Sequence, residues 1–435
     1  MQRTIQTFPL TNLNSFKIKA LRWANRHTVL AYFDSNNHTD NRYHRYEALL
    51  AVGSEDYILH TRPRGAFRDL KTFYELKKDW LFGFLSYDLK NDTEVLRSEN
   101  KDAAEFPDMH FFQPEAVLEI QRDSVRISCL RGNPQTVFAE MEATSDVPDF
   151  TARRPIKMQP RISKAEYLES IQKVKNHIQL GNIYEMNFCQ EFYAENTEIN
   201  PLFLFEELNK QAKAPFAAFY KLKNRYLLCA SPERFLQKKG DKLITQPIKG
   251  TAPRDPHPQR DAELKNELLH SQKNRSENVM IVDLVRNDLA RSCRAGTVKV
   301  EELYGIYGFE KVWQMISTVV GELRPDTHFI DALKSAFAMG SMTGAPKIRA
   351  MELIEKYEKS KRGLYSGATG YIRPDGDFDF NVVIRSLIYN ELTAYLSFQV
   401  GGAITAASDA EEEYAECLLK GQNIAAVLGD AAPER

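Results

Sequence analysis

Residues 1–142 alternate short apolar runs with turns rich in Gly, Asp and Asn. Ala48–Val52, Ala116–Ile120 and Val125–Leu130 have the length and pattern of strands, and Trp80–Tyr87, the most apolar stretch of this part, predicts a buried strand. The pattern breaks over residues 143–162, where Thr-Ser-Asp-Val-Pro-Asp is followed by Arg-Arg-Pro and Gln-Pro-Arg. That places a linker at 143–162 between a β-rich part, 1–142, and a second part, 163–430.

The second part mixes both periods. Ser163 and Glu166 form a capping box for a helix carrying Tyr167, Ile171, Val174 and Ile178, which Gly181 stops. An extended run, Ile183–Phe192, precedes a helix over Leu202–Lys213 and strands over Phe216–Lys221 and Tyr226–Cys229. Asp261–Cys293 reads as two helices. On the second, Glu277, Met280, Ile281 and Leu284 fall at i, i+3, i+4 and i+7, which puts a carboxylate on the apolar stripe. A helix over Phe329–Met339 leads to Gly340–Lys347, where Pro346 suits the first turn of the next helix. Leu364–Ile372, Phe378–Tyr389 and Thr393–Val400 predict three antiparallel strands, the last ended by Gly401 and Gly402. Ser408 then caps a terminal helix with a stripe of Tyr414, Cys417, Leu418, Ile424 and Leu428.

Composition removes several classes of function. The chain has 435 residues and 58 Lys plus Arg against 59 Asp plus Glu, without a basic stripe to follow a phosphate backbone, so no nucleic-acid partner is expected. The N-terminus lacks the apolar core of a signal peptide and no apolar run is long enough to span a bilayer, so the expectation is a cytoplasmic protein without a membrane partner. Five scattered cysteines read as reduced core residues, and the nine histidines make no zinc pattern. Any metal would be held by carboxylates.

The candidate chemistry lies after residue 160. Lys249 ends an apolar run and is followed by Gly250 and Thr251, the first permitting close backbone approach and the second able to donate a hydrogen bond. A lysine there is otherwise a solvated loop charge. An amine nucleophile must be neutral, which for an ordinary lysine costs about 4 kcal/mol at pH 7.4. Burial and a bound cation lower that cost, so a buried Lys249 close to a metal is expected. Glu277, on its apolar stripe, demands a cation or a proton.

Several motifs in one order resemble the chorismate-utilising enzymes, the family whose members make anthranilate, aminodeoxychorismate, isochorismate and salicylate. They are Pro247-Ile248-Lys249-Gly250-Thr251, Ser276 to Asp288, Gly340 to Lys347, Gly370-Tyr371 with Ile384-Arg385-Ser386, and Gly401-Gly402 with Glu413, Glu416 and Lys420. Phe82 to Asp88 adds a weaker match. The resemblance implies an α/β (α+β type) fold of two large, mostly antiparallel sheets packed as a sandwich with helices outside. In that scheme 1–142 belongs to the sandwich and is a possible regulatory or structural amino-acid site, and 163–430 is the chorismate-binding catalytic domain.

It also implies magnesium, chorismate as substrate, and ammonia from a glutamine amidotransferase subunit. Lysine at 249 resembles the branch that replaces the C4 hydroxyl by an amino group, on the way to p-aminobenzoate and folate; the anthranilate-forming branch carries Ala there. Lys249 would then attack ring C2, with Glu233 as the acid for the departing hydroxyl; Glu233 is otherwise a turn carboxylate paired with Arg234. Glu277 and Glu416 would hold Mg²⁺ and Glu413 a metal water, although Glu416 and Lys420 are also an ordinary i,i+4 pair. Arg385 would take the enolpyruvyl carboxylate with Tyr371, the Gly402 N–H and Lys420. Thr343, Gly250 and Thr251 would complete the substrate contacts, against a plain capping role for Thr343.

Two positions depart from the family pattern. Glu185 stands where aminating members usually have Gln and water-using members a basic Lys, and Gln314 where many have His. The alternative functions are anthranilate formation with release of pyruvate, isochorismate or salicylate synthesis, disfavoured by Glu185, and a non-catalytic scaffold or sensor.

Overall fold

In the computed structural model the described residues are 2–38, 42–147 and 155–429. Part of the expected linker, 148–154, and residue 430 lie outside them. Two sheets dominate, of 12 and 10 strands. The first runs Thr4–Pro9, Ser124–Cys129, Ala116–Ile120, Ala48–Val52, Val29–Asp34, Phe216–Leu222, Arg225–Ser231, Ser386–Asn390, Tyr395–Ile404, Glu185–Ala194 and Gly344–Ala345. The second runs Ile248–Pro253, Val312–Glu322, Lys242–Gln246, Arg234–Lys239, Phe378–Val382, Ala368–Ile372, Leu81–Leu85, Met109–Gln113 and Asp56–His60. One more strand joins each off these paths, Gln159–Pro160 beside Glu185–Ala194 in the first and Lys299–Gly308 beside Val312–Glu322 in the second.

Strands from residues 1–142 therefore sit in both sheets beside strands from the second part. Val29–Asp34 pairs with Phe216–Leu222, and Leu81–Leu85 with Ala368–Ile372, both antiparallel. The inner faces meet through aromatic side chains: Tyr220 of the first sheet lies edge-on to Phe84 of the second, its hydroxyl 2.6 Å from His110 Nδ1. One apolar cluster spans both sheets and the helices packed on them. No helix among the described residues is long and apolar enough to cross a membrane.

The predicted strands of 1–142 are present, with Trp80–Tyr87 shortened to Leu81–Leu85. The capping box at Ser163 is intact, and Gly181 follows the helix Lys164–Gln179 with a φ of 73°. Other boundaries move. The helix Phe329–Ala336 stops before Met339, because Phe337 turns extended and its ring enters the core against Phe67 and Phe235. Pro346 is the N-cap, just before the helix Lys347–Tyr357. Asp409, not Ser408, caps the last helix, its side chain accepting from the Glu411 and Glu412 amides. Gly401 and Gly402 lie inside the strand Tyr395–Ile404.

The largest correction concerns Phe378–Tyr389, which is two strands in different sheets. Phe378–Val382 belongs to the second sheet and Ser386–Asn390 to the first, with Arg385 between them at a φ of 53°. A second crossing runs beside it: Arg225–Ser231 is in the first sheet, Arg234–Lys239 in the second, and Glu233 sits between. The crossings are hydrogen-bonded together, the Ala230 amide to the Arg385 carbonyl (3.3 Å) and the Val382 amide to the Glu233 carbonyl (3.1 Å).

The loop Gly340–Ala345 is fixed from below by a buried ion pair. Both carboxylate oxygens of Asp288 accept from Lys347 Nζ at 2.7 Å. Both side chains are almost fully buried, so removing one leaves an uncompensated charge. Lys347→Met is expected to cost about 3 kcal/mol in urea unfolding, and adding Asp288→Leu should recover most of that loss.

Candidate active site

The reactive stretch is an irregular sheet edge. Ile248–Pro253 pairs with Val312–Glu322, but the register slips between Ile248 and Thr251, so Lys249 and Gly250 bulge out of the ladder. Gly250 has a φ of 96°, and a Cβ there would lie 3.0 Å from the Asn274 side chain. The position thus needs glycine for both its backbone and its contact with the helix Gln272–Ala290. Thr251, in contrast, is exposed beside Gln314 on the neighbouring strand.

Lys249 reaches inward and is buried as expected. Its side chain is 10% exposed and Nζ donates to Glu185 Oε1 at 2.8 Å, Glu185 being 0% exposed. Burial pulls the ammonium down, but Glu185, then Glu277 and Glu233, outweigh it and hold Lys249 above its ordinary range. The free site therefore keeps the lysine charged, the opposite of what a nucleophile needs. Glu185 Oε2 has no hydrogen-bond partner among the described residues. An unpaired buried acceptor costs roughly 1–3 kcal/mol, more when charged.

Glu233 lies on the crossing beside this pair, and burial pushes its carboxyl up to about 7, against the opposing Ser341 hydroxyl, Lys249 and Ile248 N–H. Its feared pairing with Arg234 does not occur: the Arg234 guanidinium goes to Asp379 at 2.9 and 3.0 Å. The result is a charged amine and a carboxyl that holds its proton near neutral pH at one site.

Three further carboxylates gather close by. Burial raises Glu277, with Lys249 pulling it back and the Glu185 charge adding to the rise; burial also raises Glu413. Glu416 is drawn to Lys420 Nζ at 2.8 Å, and Glu413 lies 3.8 Å from Lys273. Despite its burial, these lysines hold Glu416 below the usual carboxylate range. Among the described residues no three His, Cys, Asp or Glu side chains converge to hold an ion by themselves. Glu277 and Glu413 are each raised by the Glu416 charge, and an oxygen-only set of mutually repelling carboxylates has the donor chemistry of a hard divalent cation that takes few carboxylates and completes its shell with water or substrate.

The residues expected to anchor a second anion also come together. Arg385 Nη1 donates to the Lys420 carbonyl at 3.0 Å, Lys420 Nζ donates to the Gly401 carbonyl at 2.9 Å, and a Cβ on Gly402 would meet Glu413 at 3.0 Å and Lys420 at 3.5 Å. Gly402, Glu413, Glu416 and Lys420 are thus neighbours, with Arg385 attached through the last helix.

Two expected residues are not at this centre. Tyr371 packs in an aromatic group with Phe33, Tyr46, Trp80 and Phe82 and lines a separate cavity with Arg45, Arg234 and Asp379. The tyrosine beside Arg385 is Tyr365, a phenol that burial keeps neutral and whose hydroxyl is 3.4 Å from Cys189 Sγ; burial also lowers the Arg385 guanidinium. Thr343 is fully buried, its hydroxyl donating to the Met339 carbonyl at 3.0 Å, so it organises its loop; Ser341 of the same loop is the residue that bonds Glu233. Ser341, Tyr365 and the Glu185 contact were missed. Ser341 stands inside the motif Gly340 to Lys347, whereas Glu185 and Lys249 are 64 residues apart with no spacing to link them.

Glu233 makes stability depend on pH. Unfolded it titrates near 4.5 and in the site near 7, so the native state holds the proton through that window. Its contribution is complete below about 4.5 and is lost as pH rises to about 7. Glu233→Gln should therefore gain up to about 3 kcal/mol relative to the parent between those pH values and no more above, measured by urea unfolding at a series of pH values.

Residues 26–426 match the model of the chorismate binding enzyme family. The aminodeoxychorismate synthase component 1 of Escherichia coli is 35% identical over 341 residues, 78% of this chain and 74% of that protein. The chloroplastic aminodeoxychorismate synthase of Arabidopsis thaliana is 36% identical over 81% of this chain, which spans only 41% of that relative. The anthranilate synthase component I structure from Streptococcus pneumoniae superposes with a TM-score of 0.75 at 25% identity, covering 88% of this chain and 93% of that one. The menaquinone-specific isochorismate synthase of Escherichia coli, at 17% identity and a TM-score of 0.76, shares the two-sheet fold. With the motifs, the fold and a match running through nearly the whole sequence in agreement, the chain belongs to the chorismate binding enzyme family.

Proposed function

We propose that the chain replaces the C4 hydroxyl of chorismate by an amino group, giving 4-amino-4-deoxychorismate, with ammonia supplied in the cytoplasm by a glutamine amidotransferase subunit. One observation carries this reading: a buried lysine amine and a carboxyl titrating near 7 occupy the same site. The names of the relatives, aminodeoxychorismate synthase and its component 1, support it.

Attack of the Lys249 amine at ring C2 shifts the ring diene and breaks the C4–O bond. The hydroxyl takes the Glu233 proton and leaves as water. Ammonia then adds at C4, the diene shifts back and Lys249 is expelled. Arg385 offers a fork for the enolpyruvyl carboxylate, flanked by Lys420 and the Gly402 N–H, while Tyr365 replaces Tyr371 in that group. Gly250, packed against Asn274, holds the bulge from which Lys249 reaches the ring. Magnesium, held by Glu277 and Glu416 with Glu413 toward a bound water, would supply positive charge for the ring carboxylate.

The second reading, anthranilate formation, is separated by its second product. Incubation with chorismate, Mg²⁺ and ammonium should give 4-amino-4-deoxychorismate, with p-aminobenzoate and pyruvate appearing only after a lyase is added. Lys249→Ala should lower that rate by about 10³-fold or more. Prompt pyruvate without the lyase would assign the chain to the anthranilate reaction.

A further inference from the structure

We propose that Glu185 is a catalytic base that takes the proton of the Lys249 ammonium, generating the free amine inside the closed site; this rests on the amination reading above.

The contact is made by the fold. Glu185 begins the strand Glu185–Ala194 of the first sheet, Lys249 bulges from the edge of the second, and their side chains meet at 2.8 Å. The backbone on either side of Glu185 is pinned to one loop: the Tyr184 amide donates to the Ala345 carbonyl at 2.7 Å, the Asn187 amide to the Thr343 carbonyl at 2.8 Å, and Asn187 Nδ2 to the Ser341 carbonyl at 2.9 Å. Gly344 allows the approach, since a Cβ there would fall 2.2 Å from the Glu185 carbonyl oxygen. The same loop carries Ser341 to Glu233. One short segment therefore fixes both the carboxyl that gives a proton and the carboxylate that takes one.

Three observations favour a base over a structural ion pair. A structural pair in a protein interior has its remaining acceptors satisfied, whereas Glu185 Oε2 is buried without a partner among the described residues. Lys249 is 10% exposed, so bulk water is a poor acceptor for its proton. The other carboxylates acting on it are Glu277, Glu233 and Glu416; Glu277 and Glu416 belong with the proposed cation set, Glu416 being paired with Lys420 as well, and Glu233 must arrive protonated to act as the acid.

The step balances. An N–H bond of the ammonium breaks, its electron pair stays on nitrogen, and the proton forms an O–H bond on Glu185 Oε1, which removes both charges of the pair. That nitrogen pair forms the bond to C2, the diene shifts, and the C4 oxygen leaves with the Glu233 proton as water. When ammonia adds at C4, the diene returns and Lys249 departs as a neutral amine. Glu185 gives its proton back to that amine, and the new C4 ammonium returns one to Glu233. The net change is chorismate and ammonia to the amino product and water.

The test uses the full chain with chorismate, ammonium and Mg²⁺, and compares Glu185→Gln and Lys249→Ala with the parent between pH 6.5 and 9.5. Gln keeps the size and shape of the side chain. In parallel, acetic anhydride labelling of Lys249, read by peptide mass spectrometry, reports its free-amine fraction without any turnover. For Glu185→Gln, kcat near pH 7 should fall about 10²-fold with little change in the KM for chorismate, then climb with pH in step with labelling. In the parent, turnover should be near its maximum at a pH where Lys249 still resists labelling. Turnover in Glu185→Gln within threefold of the parent near pH 7, or parent turnover that rises only as labelling rises, overturns the role of Glu185. Unchanged turnover in Lys249→Ala, or no amino product from the parent, overturns the amination reading itself.

Discussion

The chain crosses between its two sheets twice at the same place, and the site is built on those crossings. Glu233 lies where Arg225–Ser231 passes into Arg234–Lys239, and Arg385 where Phe378–Val382 passes into Ser386–Asn390. Each crossing satisfies backbone groups of the other, so neither can shift alone. A crossing puts one side chain where two sheets meet, within reach of strands from both. That is how Lys249 from one sheet edge, Glu185 from the other sheet and Glu233 between them share a small volume.

Much of this was legible in the pattern of the residues. Period-two runs marked the strands of the N-terminal part, and the capping box marked a helix start, because those signals are local. The crossing at Arg385 was not legible. Phe378–Tyr389 is continuously rich in apolar and β-branched residues on both sides of the break, and both pieces are buried, so no polar alternation marks a change of sheet. The left-handed backbone of Arg385 leaves no sign in a non-glycine residue.

The site divides in the same way. Lys249, Gly250 and Glu233 could be singled out because motif and neighbours pointed to them. Tyr371 and Thr343 could not be separated from Tyr365 and Ser341, since each pair lies in one stretch and only the direction of the side chain differs. Tyr371 points into an aromatic group beside Phe33 and Trp80, and the Thr343 hydroxyl is spent on its own loop. Glu277 was readable because a carboxylate on an apolar stripe violates a local rule, and such violations gather at sites where function outweighs stability.

The carboxylates explain why a stable fold retains so costly a centre. Glu185, Glu233, Glu277, Glu413 and Glu416 surround Lys249, Lys273 and Lys420, and burial opposes the ionised form of four of those glutamates. In the free site the lysines only partly offset that repulsion, since Lys273 stands 3.8 Å from Glu413 and Lys420 serves Glu416 and the Gly401 carbonyl at once. An added cation would relieve Glu277 and Glu413 directly and would also weaken the hold of Glu277 on the Lys249 ammonium, since like charges repel across the same short distances. Binding of such a cation would therefore favour release of the lysine proton. Coulomb's law would give that coupling its sign whatever the magnitude, in the direction that the proposed amine nucleophile requires.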